Sequence, residues 1–476
     1  MIAAPCRTVR FPAPCLRWLA CLLLVSGLGG PAMAAKPNVL FIAIDDLRPE
    51  LGCYGDTQAK TPHIDKLATQ GMRFDRAYCQ VPICMGSRAS LLTGILPTPK
   101  RFVGDCRIDV DTPQAATLPE TFRKNGYTAI ANGKIFHTPN DTAERSWSEA
   151  LWNYSNKNGN NLESHDPETV RHLSKTKQRG RIYELPDVPD NAYPDGRIAE
   201  KTIADLQHLK QDGKPFFLAC GFIKPHMPFY APKKYWDLYE REKIKIADNR
   251  DRPKNAPTDL KGSGEFRSYH LADFDENSDE FHRVMRHGYL ACTSYSDKLV
   301  GDVLAELDRL GLAENTIVVL WGDHGWHLGE HNFWGKHNTM HLAIRVPLLV
   351  RVPGKTPGNT ASIVETSDIF PTLCALAGIE PPATVQGRPF TSLLDKPQSP
   401  FREAAYSRFV SADSIITERF HYTSYQNGKA DMLYDLKKDP QENENVADKP
   451  EHAVTLAKMK TLLQNRMEEA AKLPLK

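Results

Sequence analysis

Residues Asn38–Ile44 read NVLFIAI and are followed at once by Asp45-Asp46. An unbroken apolar run with no alternation is the pattern of a strand covered on both faces, as in parallel sheets. Two carboxylates directly after such a strand have a defined address. In an open α/β sheet the carboxyl ends of the strands form the crevice where ligands bind.

Four further runs repeat the pattern. Tyr127–Ala131 follows a helix-like Thr117–Asn125 that stops at Gly126; Pro215–Phe222 reads PFFLACGF; Thr316–Trp321 reads TIVVLW; Val346–Val352 predicts a fifth strand. Helical patterns alternate with them. Pro62–Gln70 has proline at its start and Gly71 after its end, Phe281–Leu310 is long and amphipathic, and Ser367–Ala377 closes on Gly378. This alternation predicts an α/β fold, a mostly parallel central sheet with helices on both faces. Thr138–Asn191 and Asp248–Ser278 are long, polar and irregular, which predicts lids or substrate-facing insertions. After about Pro400 the rhythm changes. Ser414–Tyr425 alternates like an exposed strand, a turn at Gln426-Asn427-Gly428 leads to a hairpin partner at Met432–Leu436, and Leu456, Met459, Leu463 and Met467 mark a last helix. Residues 35–399 are expected to form the main domain and 400–476 a small α+β subdomain.

The strand ends carry the chemistry. Lys134 and His137 follow the Tyr127 strand, His226 follows the Pro215 strand, and Asp323-His324 follow the Thr316 strand. A lone Asp after a strand is commonly a helix cap, but three carboxylates in one crevice do not all stay ionised without a cation. A bound divalent metal resolves the repulsion. Oxygen donors favour Ca²⁺ or Mg²⁺, whereas the imidazole of His324 also suits Zn²⁺ or Mn²⁺. Cys84-Met85-Gly86-Ser87-Arg88 leads into a helix, so Cys84 is expected near a helix N-terminus, a place that favours an anionic nucleophile and an anionic substrate. A plain thiolate nucleophile is open here, although a thiolate is oxidation-prone in an exported protein.

These residues resemble the formylglycine-dependent sulfatases of the alkaline phosphatase superfamily. The resemblance covers nearly all of the chain after residue 34 and is carried by Pro37–Asp56, the Cys84–Gly94 signature, GKIFH at Gly133–His137, KPHMPF at Lys224–Phe229 and DHGWHLGEH at Asp323–His331. DDLRP and DHGWHLGEH are similar to the iduronate-2-sulfatase-like branch. The resemblance implies that Cys84 is oxidised to formylglycine by a formylglycine-generating enzyme, and that one hydroxyl of the hydrated aldehyde attacks sulfur. It further implies that Asp45, Asp46, Asp323 and His324 hold Ca²⁺ together with residue 84. Arg88 and Lys134 would neutralise diol and sulfate oxygens, His137 orient the diol, His226 protonate the leaving oxygen and Lys336 reach the sulfate. Arg48, Trp326 and His327 are candidates for the pocket wall. Gly86 departs from the signature, which usually has Pro or Ala there, at a position read by the modifying machinery. The implied substrate is a sulfated saccharide, a uronate 2-O-sulfate first. Two alternatives are a phosphodiester or phosphonate monoester hydrolase and an inactive sulfated-glycan-binding protein.

The N-terminus is expected to leave the protein. Arg7, Arg10 and Arg17 form a basic stretch before a short apolar Leu19–Leu28, and Ala32-Met33-Ala34 has the small residues of a cleavage site, so residues 1–34 read as a secretory signal. The product would be exported (periplasmic or secreted, or in a lysosomal-type compartment), with no membrane span. Of the ten cysteines seven would remain, and the odd number predicts an unpaired thiol, which Cys84 supplies. Hydrophobic residues at 41% and charged residues at 25% fit a folded soluble protein, and a net charge of +2 gives no footprint for nucleic acid or an anionic membrane.

Overall fold

The computed structural model describes residues 1–10, 36–104, 106–152, 154, 164, 165, 169, 170, 179–271, 274–426 and 428–473. The chain divides into Met1–Ala35 and Lys36–Lys476. In the first unit residues 1–10 carry no helix or strand; the expected apolar run and cleavage site lie outside the described residues. No described helix is long and apolar enough to cross a membrane.

The central sheet of the second unit contains β1 (Asn38–Ile44), β2 (Met72–Tyr78), β3 (Thr128–Gly133), β4 (Phe216–Phe222), β5 (Thr316–Gly322), β6 (Leu348–Arg351) and β7 (Gly358–Glu365). β1 lies between β4 and β5, parallel to both, and β4 pairs in parallel with β3. β7 runs parallel to β2. β6, anticipated as one more parallel strand, is antiparallel to β5 and β2. It returns from β5 through the 323–347 segment, whose one helix, His341–Ile344, is a single turn and not a crossover helix.

Successive residues of β1 point to opposite faces, and both faces are buried. Val39, Phe41 and Ala43 join one apolar cluster, and Leu40, Ile42 and Ile44 join another. Phe41 packs between Phe217 and Trp321 with ring centroids 6.1 and 6.0 Å away; burying such a side chain contributes about 1.5–3 kcal/mol. On the Phe41 side lie α2 (Cys84–Thr93), α3 (Leu118–Lys124) and α6 (Ile369–Ala377); on the other lie α1 (Pro62–Gln70), α4 (Pro194–Asp212) and α5 (Asp279–Arg309). Local chemistry sets their starts. Thr117 and Glu120 form a capping box on α3, and the Ser278 side chain accepts from Phe281 N on α5.

Beyond residue 400 a four-stranded antiparallel sheet runs in chain order through β8 (Ala404–Phe409), β9 (Ala412–Thr417), β10 (Phe420–Tyr425) and β11 (Ala430–Asp435), followed by α7 (Ala453–Ala471). The stretch expected as one exposed strand is two strands, mostly buried. One face carries Tyr406, Ile415, Tyr422 and Leu433 against Met459 and Leu463 of α7; the other packs Tyr425, Met432 and Tyr434 on Leu260, Phe333 and Met340. Its alternation marked two different partners rather than core and water. Asn427 of the expected turn lies outside the described residues, as does most of 153–178 in the first polar insertion.

Candidate active site

Register makes the site. Ile44 pairs with Phe222 on one side and Gly322 on the other, and Gly133 pairs with Gly221, so four strands end level. The backbone bonds Asp45 N to Phe222 O, Asp323 N to Ile44 O and Lys134 N to Gly221 O continue the ladder by one residue. Gly133 has φ of +77°, and a Cβ there would lie 2.2 Å from Gly221 O; glycine permits the turn that re-aims the chain at Lys134.

Asp45, Asp46 and Asp323 are fully buried within this crevice. Lys134 is bonded to Asp45 Oδ2, while Arg88 donates from Nε to Asp323 Oδ2 at 3.0 Å and faces Asp45 Oδ1 at 3.4 Å. Lys336 donates to Asp46 Oδ1 at 2.8 Å and lies 4.9 Å from the centre of the Trp326 ring. Burial alone would raise all such carboxyls. At Asp45 the ammonium of Lys134, with His226 and Arg88, outweighs burial and holds it well below the usual range. At Asp323 burial and the charge of Asp45 win, and the carboxyl is raised.

Cys84 opens α2, and its Sγ lies 3.2 Å from His324 Nε2 and 3.9 Å from Asp46 Oδ1. The expectation of a thiolate favoured by the helix N-terminus does not hold. Burial, followed by the charge of Asp45, pushes this thiol well above its ordinary value. Without a bound cation these surroundings favour the neutral thiol of unmodified Cys84, a weak nucleophile. Its sulfur stands where the oxygens of a converted side chain would be.

The donor set fits a divalent cation. Asp46 Oδ2 is buried with no hydrogen-bond partner. Ligand atoms of Asp45, Cys84, Asp323 and His324 lie within 4.8 Å of one another, as do those of Asp45, Asp46, Cys84 and His226. His324 Nδ1 is 2.9 Å from Gly325 O, which assigns the proton to Nδ1 and leaves the Nε2 lone pair facing Asp46 Oδ1 at 3.3 Å and Asp323 Oδ1 at 3.6 Å. A lone pair aimed at two carboxylates is repelled unless a cation lies between them.

His226 and His137 complete the group. His226 Nδ1 donates to Met227 O at 2.5 Å, and Nε2 is 3.3 Å from Glu265 Oε1 and 3.9 Å from Asp46 Oδ2. Burial and Lys134 depress His137 to about 3, so its ring is uncharged, and its buried Nδ1 has no partner. Glu265 is the residue that sequence reasoning missed. It bridges His226 and Lys336, the latter at 3.4 Å, and the Lys336 ammonium, with His226 beside it, outweighs burial to hold its carboxyl far below the usual range. The only signal for it was its place in the second polar insertion. The candidate wall residues Arg48, Trp326 and His327 are all buried. Arg48 is buried between Glu50 and Glu330, which Arg286 also pairs with; Trp326 supports Lys336; His327 is fully buried and bonds Asn338.

The unpaired thiol expected from the odd cysteine count is present, and Cys84 is free. Cys53, Cys79, Cys84, Cys220, Cys292 and Cys374 are all free thiols, so arithmetic does not single out Cys84.

The Sulfatase family model matches residues 37–379, and one for the C-terminal part of N-sulphoglucosamine sulphohydrolase matches 329–469. Iduronate 2-sulfatase of Mus musculus is 33% identical over 409 residues, covering 76% of this chain and 72% of that protein. Delta 4,5-hexuronate-2-O-sulfatase of Bacteroides thetaiotaomicron is 27% identical over 462 residues, covering 90% and 88%. Among solved structures, phosphonate monoester hydrolase of Agrobacterium radiobacter superposes with a TM-score of 0.72 at 23% identity over 91% of this chain and 96% of that one, a likeness of fold.

Proposed function

The chain belongs to the sulfatase family, and on that premise we propose that it removes the 2-O-sulfate of a uronate in a sulfated saccharide, outside the cytoplasm. The observation that carries the reading is the convergence of Asp45, Asp46, Cys84, Asp323 and His324 with Arg88, Lys134 and Lys336 at four level strand ends. Two relatives named for sulfate at position 2 of a uronate support the choice of substrate.

In this reading Asp45, Asp46, Asp323 and His324 hold one divalent ion, Ca²⁺, and residue 84 is formylglycine installed by a formylglycine-generating enzyme. When present, the ion and the hydrated aldehyde together supply the positive charge and the nucleophilic hydroxyl. The chain's own residues do the rest. Arg88 and Lys134 place fixed positive charge beside residue 84, where sulfate oxygens gain charge during transfer. Uncharged His137 is suited to accept a hydrogen bond through Nδ1. His226 keeps Nδ1 on Met227 O, so Nε2 is the atom that delivers a proton to the leaving oxygen. Lys336 binds sulfate from the Asp46 side.

The test is sulfate release from disaccharides sulfated at uronate O2, glucosamine O6 or glucosamine N, beside an aryl sulfate and a phosphonate monoester. The expected result is the highest kcat/KM on the uronate ester, in protein whose Cys84 peptide is lighter than the thiol form by roughly 18 Da. Preference for another position overturns the substrate, and preference for the phosphonate overturns the reaction. Glycan binding without turnover in protein carrying formylglycine would leave a binding protein.

A further inference from the structure

We propose that Tyr289 of α5 is a positioning residue for the cation site: its hydroxyl holds the backbone of Asp46 in the conformation that turns this carboxylate into the crevice. The hydroxyl donates to Asp46 O at 2.9 Å and accepts from Arg48 N at 2.8 Å, so one oxygen ties together both sides of the turn that follows β1. Asp46 has φ of +60°, in the left-handed region that residues other than glycine seldom adopt. Such a conformation persists only where the surroundings fix it. Asp46 N donates to Asp323 Oδ1 at 3.0 Å, so the residue is held on one side by a second carboxylate of the cluster and on the other by Tyr289.

The tyrosine is itself held. It is fully buried, and its ring meets Phe229 edge-on at 6.3 Å and 87°. A Cβ on the neighbouring Gly288 would lie 2.7 Å from Phe229 Cβ, so α5 is pressed against the segment that carries His226 and Phe229. Burial pushes the phenol's pKa upward, and the hydroxyl remains a donor. Tyr289 therefore fixes the turn of Asp46 by hydrogen bonds and meets the His226 segment by ring contact.

This proposal rests on the cation reading above, and a matched control separates the two. Tyr295, on the same helix and equally buried, makes the same pair of hydrogen bonds elsewhere: it donates to Asp190 O at 2.7 Å and accepts from Gly196 N at 2.9 Å. Each of Tyr289→Phe and Tyr295→Phe removes one oxygen. The experiment is calorimetric titration of Ca²⁺ into chelator-treated full-length protein, with melting of the cation-free form alongside. Tyr289→Phe is expected to weaken Ca²⁺ binding about 10–100-fold, as loss of a partner that orients a ligand does. Tyr295→Phe is expected to lower the melting temperature by a similar amount and to leave the Kd unchanged. Equal Kd values for Tyr289→Phe and the parent, or equal weakening by both variants, overturn the proposal while the cation reading stands. A parent protein that binds none of Ca²⁺, Mg²⁺ and Zn²⁺ overturns both.

Discussion

Gly86→Ala sets the demands of maturation against those of folding at one position. In the folded chain a Cβ on Gly86 would lie 2.6 Å from Val81 Cγ1, 2.9 Å from Val81 Cβ and 3.2 Å from Phe102 O. Relaxed carbon contacts lie near about 3.5–4.0 Å, so roughly an ångström of overlap must be relieved. Val81 is 1% exposed and β-branched, with little rotamer freedom, so the strain falls on the backbone just before Cys84. Overpacking of this kind costs about 1–3 kcal/mol. Val81→Ala alone removes two buried methyl groups and costs about 1.5–2.5 kcal/mol by their transfer. In the double variant the shortest contact, to Val81 Cγ1, is gone while those to Val81 Cβ and Phe102 O remain, so the double loss should fall short of the sum by about 0.5–1 kcal/mol. In the nascent chain neither contact exists, and alanine restores the signature of the family this chain resembles. The formylglycine fraction should therefore rise while stability falls. Denaturant unfolding of the four proteins, with peptide mass spectrometry at residue 84, measures both quantities. A Gly86→Ala protein as stable as the parent, or strictly additive losses, refutes the packing argument; a lower converted fraction refutes the maturation argument.

His226→Ala should cost about 10²–10⁴-fold on a sulfated sugar, whose alkoxide needs a proton, and far less on an aryl sulfate; equal losses would pass the role to Lys336. Asp46→Asn removes a charge whose Oδ2 has no other partner, so divalent-ion affinity and turnover should both fall, and active protein without a stoichiometric ion would sink the cation reading. Asp297 accepts from His63 N and Ile64 N at the start of α1, yet burial, partly opposed by those bonds, raises its carboxyl to about 7. Because the folded pKa exceeds the unfolded one, this group's contribution is fully present below about pH 4 and is lost progressively as pH rises to about 7. Asp297→Asn should therefore gain stability relative to the parent between about pH 4 and 7, on the order of that single titration, and parallel stability profiles would contradict the assignment.

What the sequence disclosed follows from what each segment buries. β1, β4 and β5 are covered on both faces and stand out as unbroken apolar runs, and their polar successors are visible as strand ends for the same reason. β2 reads MRFDRAY and escapes recognition, since its charged residues Arg73, Asp75 and Arg76 are only half-buried and interrupt the apolar pattern. The direction of β6 depends on the length and path of the loop before it, which residue type does not encode. Glu265 and Tyr289 are hidden by distance. One sits in an insertion and the other inside a long amphipathic helix, and neither differs locally from a surface acid or a core aromatic. The cysteine arithmetic rightly leaves an unpaired thiol but does not single out Cys84, since Cys53, Cys79, Cys220, Cys292 and Cys374 are free as well.

Cys84 is 2% exposed in the finished fold, and the groups around it come from positions as far apart as 45 and 336. Its neighbourhood is complete only when the strands have taken their register. Any enzyme that must grip the 84–94 segment to oxidise the thiol thus works against a clock: its window opens as the segment emerges and shuts when the sheet is complete. A chain that folds to completion with the thiol intact has missed the window and stays refractory to the modifying enzyme, whatever the latter's abundance. If residue 84 matures as proposed, the yield of active protein would be set by a race between two rates, and slowing the closure of the sheet should raise it.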